Sequence, residues 1–181
     1  MSSLIHVWIP ILIKYQNHVE KRGFFIIFEF QKTIYMYEFI QKFHSGWAYL
    51  ALLLLVIAVV NAVIGLVGKK EFTPKDRKIA IFGLIGTHTQ LLIGLILYFV
   101  SPNGFSAILN SGMGEVMKNA SLRLTTVEHP VINIIAITLI TIGWSKHKKL
   151  TTSQSKFKTF TIFYTLGLVF ILSRIPWNLW L

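Results

Sequence analysis

The chain has no cysteine in its 181 residues. Disulfides, thiolate metal sites and thioether attachment of a haem are therefore excluded. Charge is also scarce. Only 14% of residues are charged and only seven are acidic, so a cluster of carboxylates has little to draw on. Prolines number five, and each stands at a break: Pro10 in a short apolar run, Pro74 and Pro102 in connections, Pro130 at a helix start and Pro176 at a helix end. Long polar stretches are missing as well. Hydrophobic residues make up 54% of the chain and mean hydropathy is +0.61, values of a membrane protein and not of a soluble domain. The formal net charge of +11 does not point to nucleic acid, because the basic residues gather in two short connections between apolar runs, the pattern that orients a membrane protein.

What is present is four long apolar runs, enough for one all-α integral membrane four-helix bundle in a lipid bilayer. The expected spans are 44–67, 79–100, 124–145 and 160–177. The third is the most informative. Pro130 to Ser145 is almost unbroken Val, Ile, Ala, Leu and Thr, but sixteen residues at about 1.5 Å each cover only ~24 Å of a ~30 Å hydrocarbon core. To span, this helix must start near Leu124, which draws Glu128 and His129 into the outer part of the bilayer. Ionisable groups there are costly and usually functional.

In the first span, His44, Ala48, Ala51, Leu55, Ala58, Ala62 and Gly65 fall on one face. A stripe of small residues lets another backbone, or a flat ligand, come close. The second span carries Thr87, His88, Thr89 and Gln90 near its middle. Gln90 shares a face with Gly83, Gly86, Thr87 and Gly94, whereas His88 lies about 160° away at 100° per residue. Residues Gly104 to Arg123 form a long connection whose middle suits a short surface helix. The fourth span brings Tyr164, Gly167, Ile171 and Arg174 along one face, and Trp177 and Trp180 suit an interfacial belt. His147, in the second basic connection, is expected to be solvated.

Residues 1–35 differ from the rest. Leu4 to Ile13 is too short to span and has no cleavage site after it. Two readings stand for this N-terminal extension: an upstream, non-native leader before a natural start at Met36, or an interfacial arm. Lys69, Lys70, Lys75, Arg77 and Lys78 fill one connection, and Lys146, Lys148, Lys149, Lys156 and Lys158 the other. With a start at Met36, both connections face the cytoplasm and both ends of the chain lie on the outer side of a bacterial inner membrane. His44, His129 and Arg174 then share the outer level, and His88 lies deeper.

Two histidines that enter from the same side on non-consecutive helices can reach one metal from opposite faces. A bare ion would lack further ligands here. A haem brings four nitrogens of its own and needs only axial imidazoles, in surroundings an apolar bundle provides. On this reading the small stripe makes room for the porphyrin, Arg174 pairs with a propionate, and Glu128 or Asn133 orients an imidazole through its second nitrogen. Each residue also has a plainer role. His44 is a half-solvated helix-end residue, His129 a helix-start residue, His88 a hydrogen-bonded interior group, and Arg174 a snorkelling cation.

The stretches FHSGWAYLALLLL, GLIGTHTQLLIGLILYF and VEHPVINIIAITLI resemble one half of a haem A synthase. The chain from Met36 on also resembles small bacterial membrane proteins of cytochrome b-like type. The haem A synthase family has histidine ligands at the starts of two helices running in the same direction. A helix with a Q-x-x-x-G-like pattern, matched by Gln90 and Gly94, lies between them. The resemblance implies that His44 and His129 are the axial pair of a haem b. The catalytic half of the family has a glutamate three positions before the first histidine and an arginine after it, where this chain has Gln41 and Ser45. The departure implies haem holding more than haem oxidation. The expectation is single-electron transfer near the outer face, with a quinone or membrane redox partner. The alternative is a haem-free accessory or scaffold subunit. The expected topology has a direct check: a reporter active only in the cytoplasm should be silent when fused after Gly112 and active after Ser153, and the reverse pattern would invert the orientation.

Overall fold

The structure is a computed structural model that describes the backbone of residues 5–180 and the side chains of residues 35–179. The first helix, α1, covers Ile5–Val67, and within it the chain divides into two compact units, Met1–Phe39 and Ile40–Leu181. Apart from Tyr35, the expected N-terminal extension lies outside the described side chains. The second unit is described below. It continues through α2 (Pro74–Val100), α3 (Phe105–Lys118), α4 (Ala120–Arg123), a π turn (Leu124–Glu128), α5 (His129–His147), α6 (Ser153–Ser173) and α7 (Trp177–Trp180). Helix accounts for 87% of the structure and there is no strand among the described residues. The protein is all-α, with four helical stretches long and apolar enough to cross a membrane: Tyr35–Val67, Pro74–Val100, Ala120–His147 and Ser153–Ser173.

The span ends shift from expectation for local reasons. The second starts at Pro74 and not at 79. Proline at the first helical position costs nothing, since that N–H has no intrahelical partner anyway. Asp76 holds the start in place: its carboxylate accepts from the Thr73 N–H at 2.9 Å and the Thr73 hydroxyl at 2.6 Å, and from Asn61 of α1 at 3.0 Å. The third span does begin upstream of Pro130. Asn119 caps its first turn, Oδ1 accepting from the Ser121 and Leu122 N–H groups at 3.1 Å each. The fourth starts at Ser153, capped by Thr152, and stops at Ser173. Arg174, expected inside the helix end, therefore lies just beyond it with φ −132°. Pro176 removes a donor and biases Ile175 away from helix, which accounts for the early stop.

Lipid supplies no hydrophobic drive between helices, so close packing has to hold them together. Along α1, Ala51, Leu55, Ala58, Ala62 and Gly65 are buried. Across from them, a Cβ built on Gly83 would stand 3.2 Å from the Ala58 Cβ, and one on Gly86 would stand 3.4 Å from the Ala51 Cα. Over this length the small stripe is filled by the backbone of α2, so it is not the slot for a flat ligand that the sequence allowed. On α6, Gly167 meets α5, and the Tyr164 hydroxyl donates to the Ala80 carbonyl of α2 at 3.0 Å. The core is Leu55, Ala58, Ala62, Ala80, Ala136, Ile140, Trp144, Phe160, Tyr164 and Ile171. Leu53, Ile57, Phe82, Leu92, Ile134, Leu166 and Val169 are exposed, as lipid-facing side chains must be.

The connection after α2 does form the expected short helix, α3, bent at Gly112, whose φ of 78° and ψ of 151° suit glycine alone. Glycine contacts in the core give a sharp contrast. A Cβ at Gly167 would lie 2.6 Å from Ile140 Cγ1 and 3.1 Å from the Ala136 carbonyl oxygen, whereas one at Gly46 would meet nothing within 4 Å. Gly167→Ala should therefore cost about 1–3 kcal/mol of stability, and Gly46→Ala should be neutral or stabilising by up to about 1 kcal/mol. Unfolding in detergent checks both, and equal effects would contradict this packing.

Candidate functional site at one end of the bundle

Two spans begin and two finish at the same end, and there the structure brings four of the singled-out residues together. His44 of α1 and His129 of α5 are the centre. Their ring centroids are 6.3 Å apart and their planes are inclined at 79°, one edge toward the other. Gln90 of α2 reaches the same point. Its amide nitrogen donates to the His44 carbonyl at 3.0 Å and lies 3.2 and 3.3 Å from the two ring nitrogens of His44. Only one of these nitrogens can accept in a neutral imidazole. The Gln90 Oε1 is buried with no hydrogen-bond partner, an arrangement that costs about 1–3 kcal/mol when left unmet. Gly94, one turn on, leaves the space that the His44 ring occupies, since a Cβ there would stand 3.0 Å from Cε1. Trp47 ties the same turn of α1 to α2 through Nε1–H to the Gly86 carbonyl at 3.3 Å.

His129 is held differently. Its Nδ1 lies 2.7 Å from the main-chain carbonyl of Arg174. A carbonyl only accepts, so Nδ1 carries the proton and the neutral ring keeps its lone pair on Nε2. Asn133 lies 3.2 Å from that nitrogen, but its amide donates to the His129 carbonyl at 2.7 Å. The group that orients this imidazole is thus the Arg174 backbone, freed from helical bonding by the early stop of α6. Neither of the side chains suggested by the sequence, Glu128 or Asn133, does so.

Glu128 has another task. It accepts from Arg123 Nε at 2.9 Å and lies 3.3 Å from Arg174 Nε. Positions 123 and 128 are about 140° apart on an α-helix, and pair because the intervening turn is π, with the His129 N–H donating to the Leu124 carbonyl five residues back. Sequence spacing at 3.6 residues per turn conceals this pair. Thr126, buried in the same turn, donates to the Asn103 carbonyl at 2.9 Å and fixes the π turn to the loop after α2.

His88 stays apart. Its Nδ1 meets the Leu84 carbonyl at 2.8 Å and its Nε2 meets the Thr141 hydroxyl at 3.2 Å. Both nitrogens are engaged inside the bundle, on the opposite side of α2 from Gln90. His147 is the clear departure from expectation. It is buried, with Nδ1 toward the Trp144 carbonyl and its ring against Trp144 and Phe160. Helix α5 runs on to His147 itself, so the residue belongs to the helix face and not to the basic loop.

No three His, Asp or Glu side chains converge on a point among the described residues. The site thus offers two imidazoles, which suits a metal that brings its other ligands along. Two imidazoles on one first-row metal, at ~2 Å per bond, place their ring centres roughly 6 Å apart, and the observed separation is 6.3 Å. No family model, curated protein or solved structure matches the chain. The geometry itself defines a multi-pass helical membrane protein with a paired-histidine site at one end of its bundle.

The Glu128 pairs are partly exposed, with side-chain exposures of 36% and 32% for the Arg123 pair and 46% and 32% for the Arg174 pair, and such pairs contribute about 0–1 kcal/mol. Glu128→Gln should lower global stability by no more than about 1 kcal/mol while speeding amide exchange in residues 124–129. Unchanged exchange there would show that the π turn does not depend on the carboxylate.

Proposed function

We propose that this chain is an integral membrane protein holding one haem b between His44 and His129, and that it passes single electrons near the outer membrane face. The observation that carries this reading is the separation of the two rings, whose centres lie 6.3 Å apart, between side chains of spans that are not consecutive. The Arg174 carbonyl supports it by holding Nδ1 and leaving His129 with a free Nε2, as the hydrogen-bond partners of ligating histidines do. The likeness of the three sequence stretches to half of a haem A synthase belongs to the same reading.

A haem held by His44 and His129 would supply reversible one-electron chemistry. The chain's own residues do the rest. His129 is oriented by the Arg174 backbone, and Gln90 fixes the backbone and ring of His44 together. The Arg174 side chain is held by Glu128, 3.3 Å from its Nε. Electrons would come from a quinone or membrane redox partner. With a start at Met36, the basic connections would orient the chain in a bacterial inner membrane with both ends outside.

A second reading has its own observation. The Gln90 amide already lies against both His44 nitrogens, and α2 fills the small stripe of α1. A haem-free accessory subunit, with these polar groups serving only helix packing, would be built this way. The two readings part at once in an absorbance spectrum. Detergent-purified protein should show a Soret band and low-spin b-type bands. His44→Ala and His129→Ala should each abolish or convert them to high-spin, and His88→Leu should leave them in place. Colourless protein from haem-replete cells, or bands that outlast His129→Ala and vanish with His88→Leu, would overturn the pairing.

A further inference from the structure

The end of the bundle opposite the histidine pair holds a second arrangement that electron transfer does not use. A cleft of about 280 Å³ opens there, lined by Phe72, Arg77, His147, Lys148 and Lys156. Three of the five are permanent cations, brought from the start of α2, the end of α5 and the start of α6. Among the described residues none of them forms an ion pair. The nearest acid in sequence, Asp76, is committed to Thr73 and Asn61, and Glu71 is exposed.

The cations are positioned without a countercharge. The Arg77 guanidinium stands 5.6 Å from the Trp144 ring centre and Lys148 Nζ stands 5.3 Å from the same ring, while Lys156 Nζ stands 5.5 Å from Phe72. The aromatic floor is rigid. Phe72 stacks on Phe160 at 6.0 Å and meets Phe157 edge-on at 5.1 Å, and its N–H donates to the Ser153 hydroxyl at 2.9 Å. Cation–π contacts hold positive groups in place while leaving their N–H donors pointing elsewhere. Three like charges around one cleft repel one another, and a bound anion removes that penalty and gains charge-assisted hydrogen bonds.

We propose that this cleft binds the phosphate of an anionic phospholipid headgroup. The chemistry shared with free phosphate is a tetrahedral oxyanion, but the setting favours lipid. The cleft sits where three membrane-spanning stretches end or begin. Exposed apolar side chains follow within roughly 8–9 Å along the helices at ~1.5 Å per residue: Phe82 on α2 and Ile162 on α6. Acyl chains can lie on those faces while the phosphate enters the cleft. Basic pockets between spans at a membrane surface are suited to this task. The inference stands independently of the haem reading.

The test uses the full chain in detergent with phosphatidylglycerol or phosphatidylcholine of the same acyl chains. Native mass spectrometry counts retained lipid, and a thermal melt follows stabilisation. Wild type should retain and be stabilised by phosphatidylglycerol in preference to phosphatidylcholine. Replacing Arg77, Lys148 and Lys156 together by Gln should weaken that affinity about 10²-fold, at roughly 5-fold per cation. A charge-matched control, Lys69, Lys70 and Lys149 to Gln, removes cations of the same connections that do not line the cleft, and should weaken it less than about 5-fold. Circular dichroism checks that the triple variant is folded. Should it not be, Lys148→Gln alone, at an exposed position, is read for the loss of about 5-fold. Equal losses in variant and control, equal binding of the two lipids, or stabilisation by inorganic phosphate but not by phosphatidylglycerol would each overturn the proposal.

Discussion

Hydrocarbon offers a polar group no water, so every hydrogen-bonding side chain in the spans needs a partner inside the protein. The rest of the bundle follows from this constraint. Thr87 returns its hydroxyl to the Gly83 and Leu84 carbonyls of its own helix, and Thr138 does the same toward Ile134. Tyr164 spends its hydroxyl across the bundle on Ala80. His88 is satisfied at both nitrogens, by its own helix and by Thr141 of α5. The Thr141 hydroxyl has a single proton and also lies 2.8 Å from the Ile137 carbonyl, so the two acceptors share it.

Against that background the exceptions carry information. Gln90 Oε1 has no partner although it is buried, and the same amide meets His44 through its nitrogen. The Arg174 carbonyl has left its helix and is used to hold His129. A π turn, a local feature that is often found at functional sites, stands immediately before that histidine. These three features fall at one end of the bundle, while the Thr161 and Thr165 hydroxyls within α6 are also buried without a partner.

Charge divides the molecule along the same axis. At the histidine end the arginines are matched, Arg123 and Arg174 sharing Glu128. At the other end, Arg77, Lys148 and Lys156 surround a cleft with aromatic support and no acid. The basic connections therefore do more than bias insertion. They also bring three cations to one place, because α2 starts, α5 ends and α6 starts around Phe72.

The sequence alone determined the class and the presence of four apolar spans, though not their ends, because hydropathy over some twenty residues is a property of composition that no tertiary contact can reverse. It also determined which residues share a helix face, and hence that Gln90 and His88 point apart. The need for the third helix to begin before Pro130 followed from length alone. Only the tertiary structure decided what meets each face. Small residues at Ala48 and Ala51 spacing favour helix packing and also admit a flat ligand, and α2 fills the stripe around Ala51 and Ala58. Pairing of Arg123 with Glu128 depends on a π turn that a 3.6-residue period hides. The early end of α6 turned Arg174 into a backbone acceptor. His147, which reads as a loop residue beside lysines, is buried because α5 continues two residues past 145 and packs it on Trp144 and Phe160. These outcomes rest on contacts between segments distant in the chain, and local pattern does not encode such contacts.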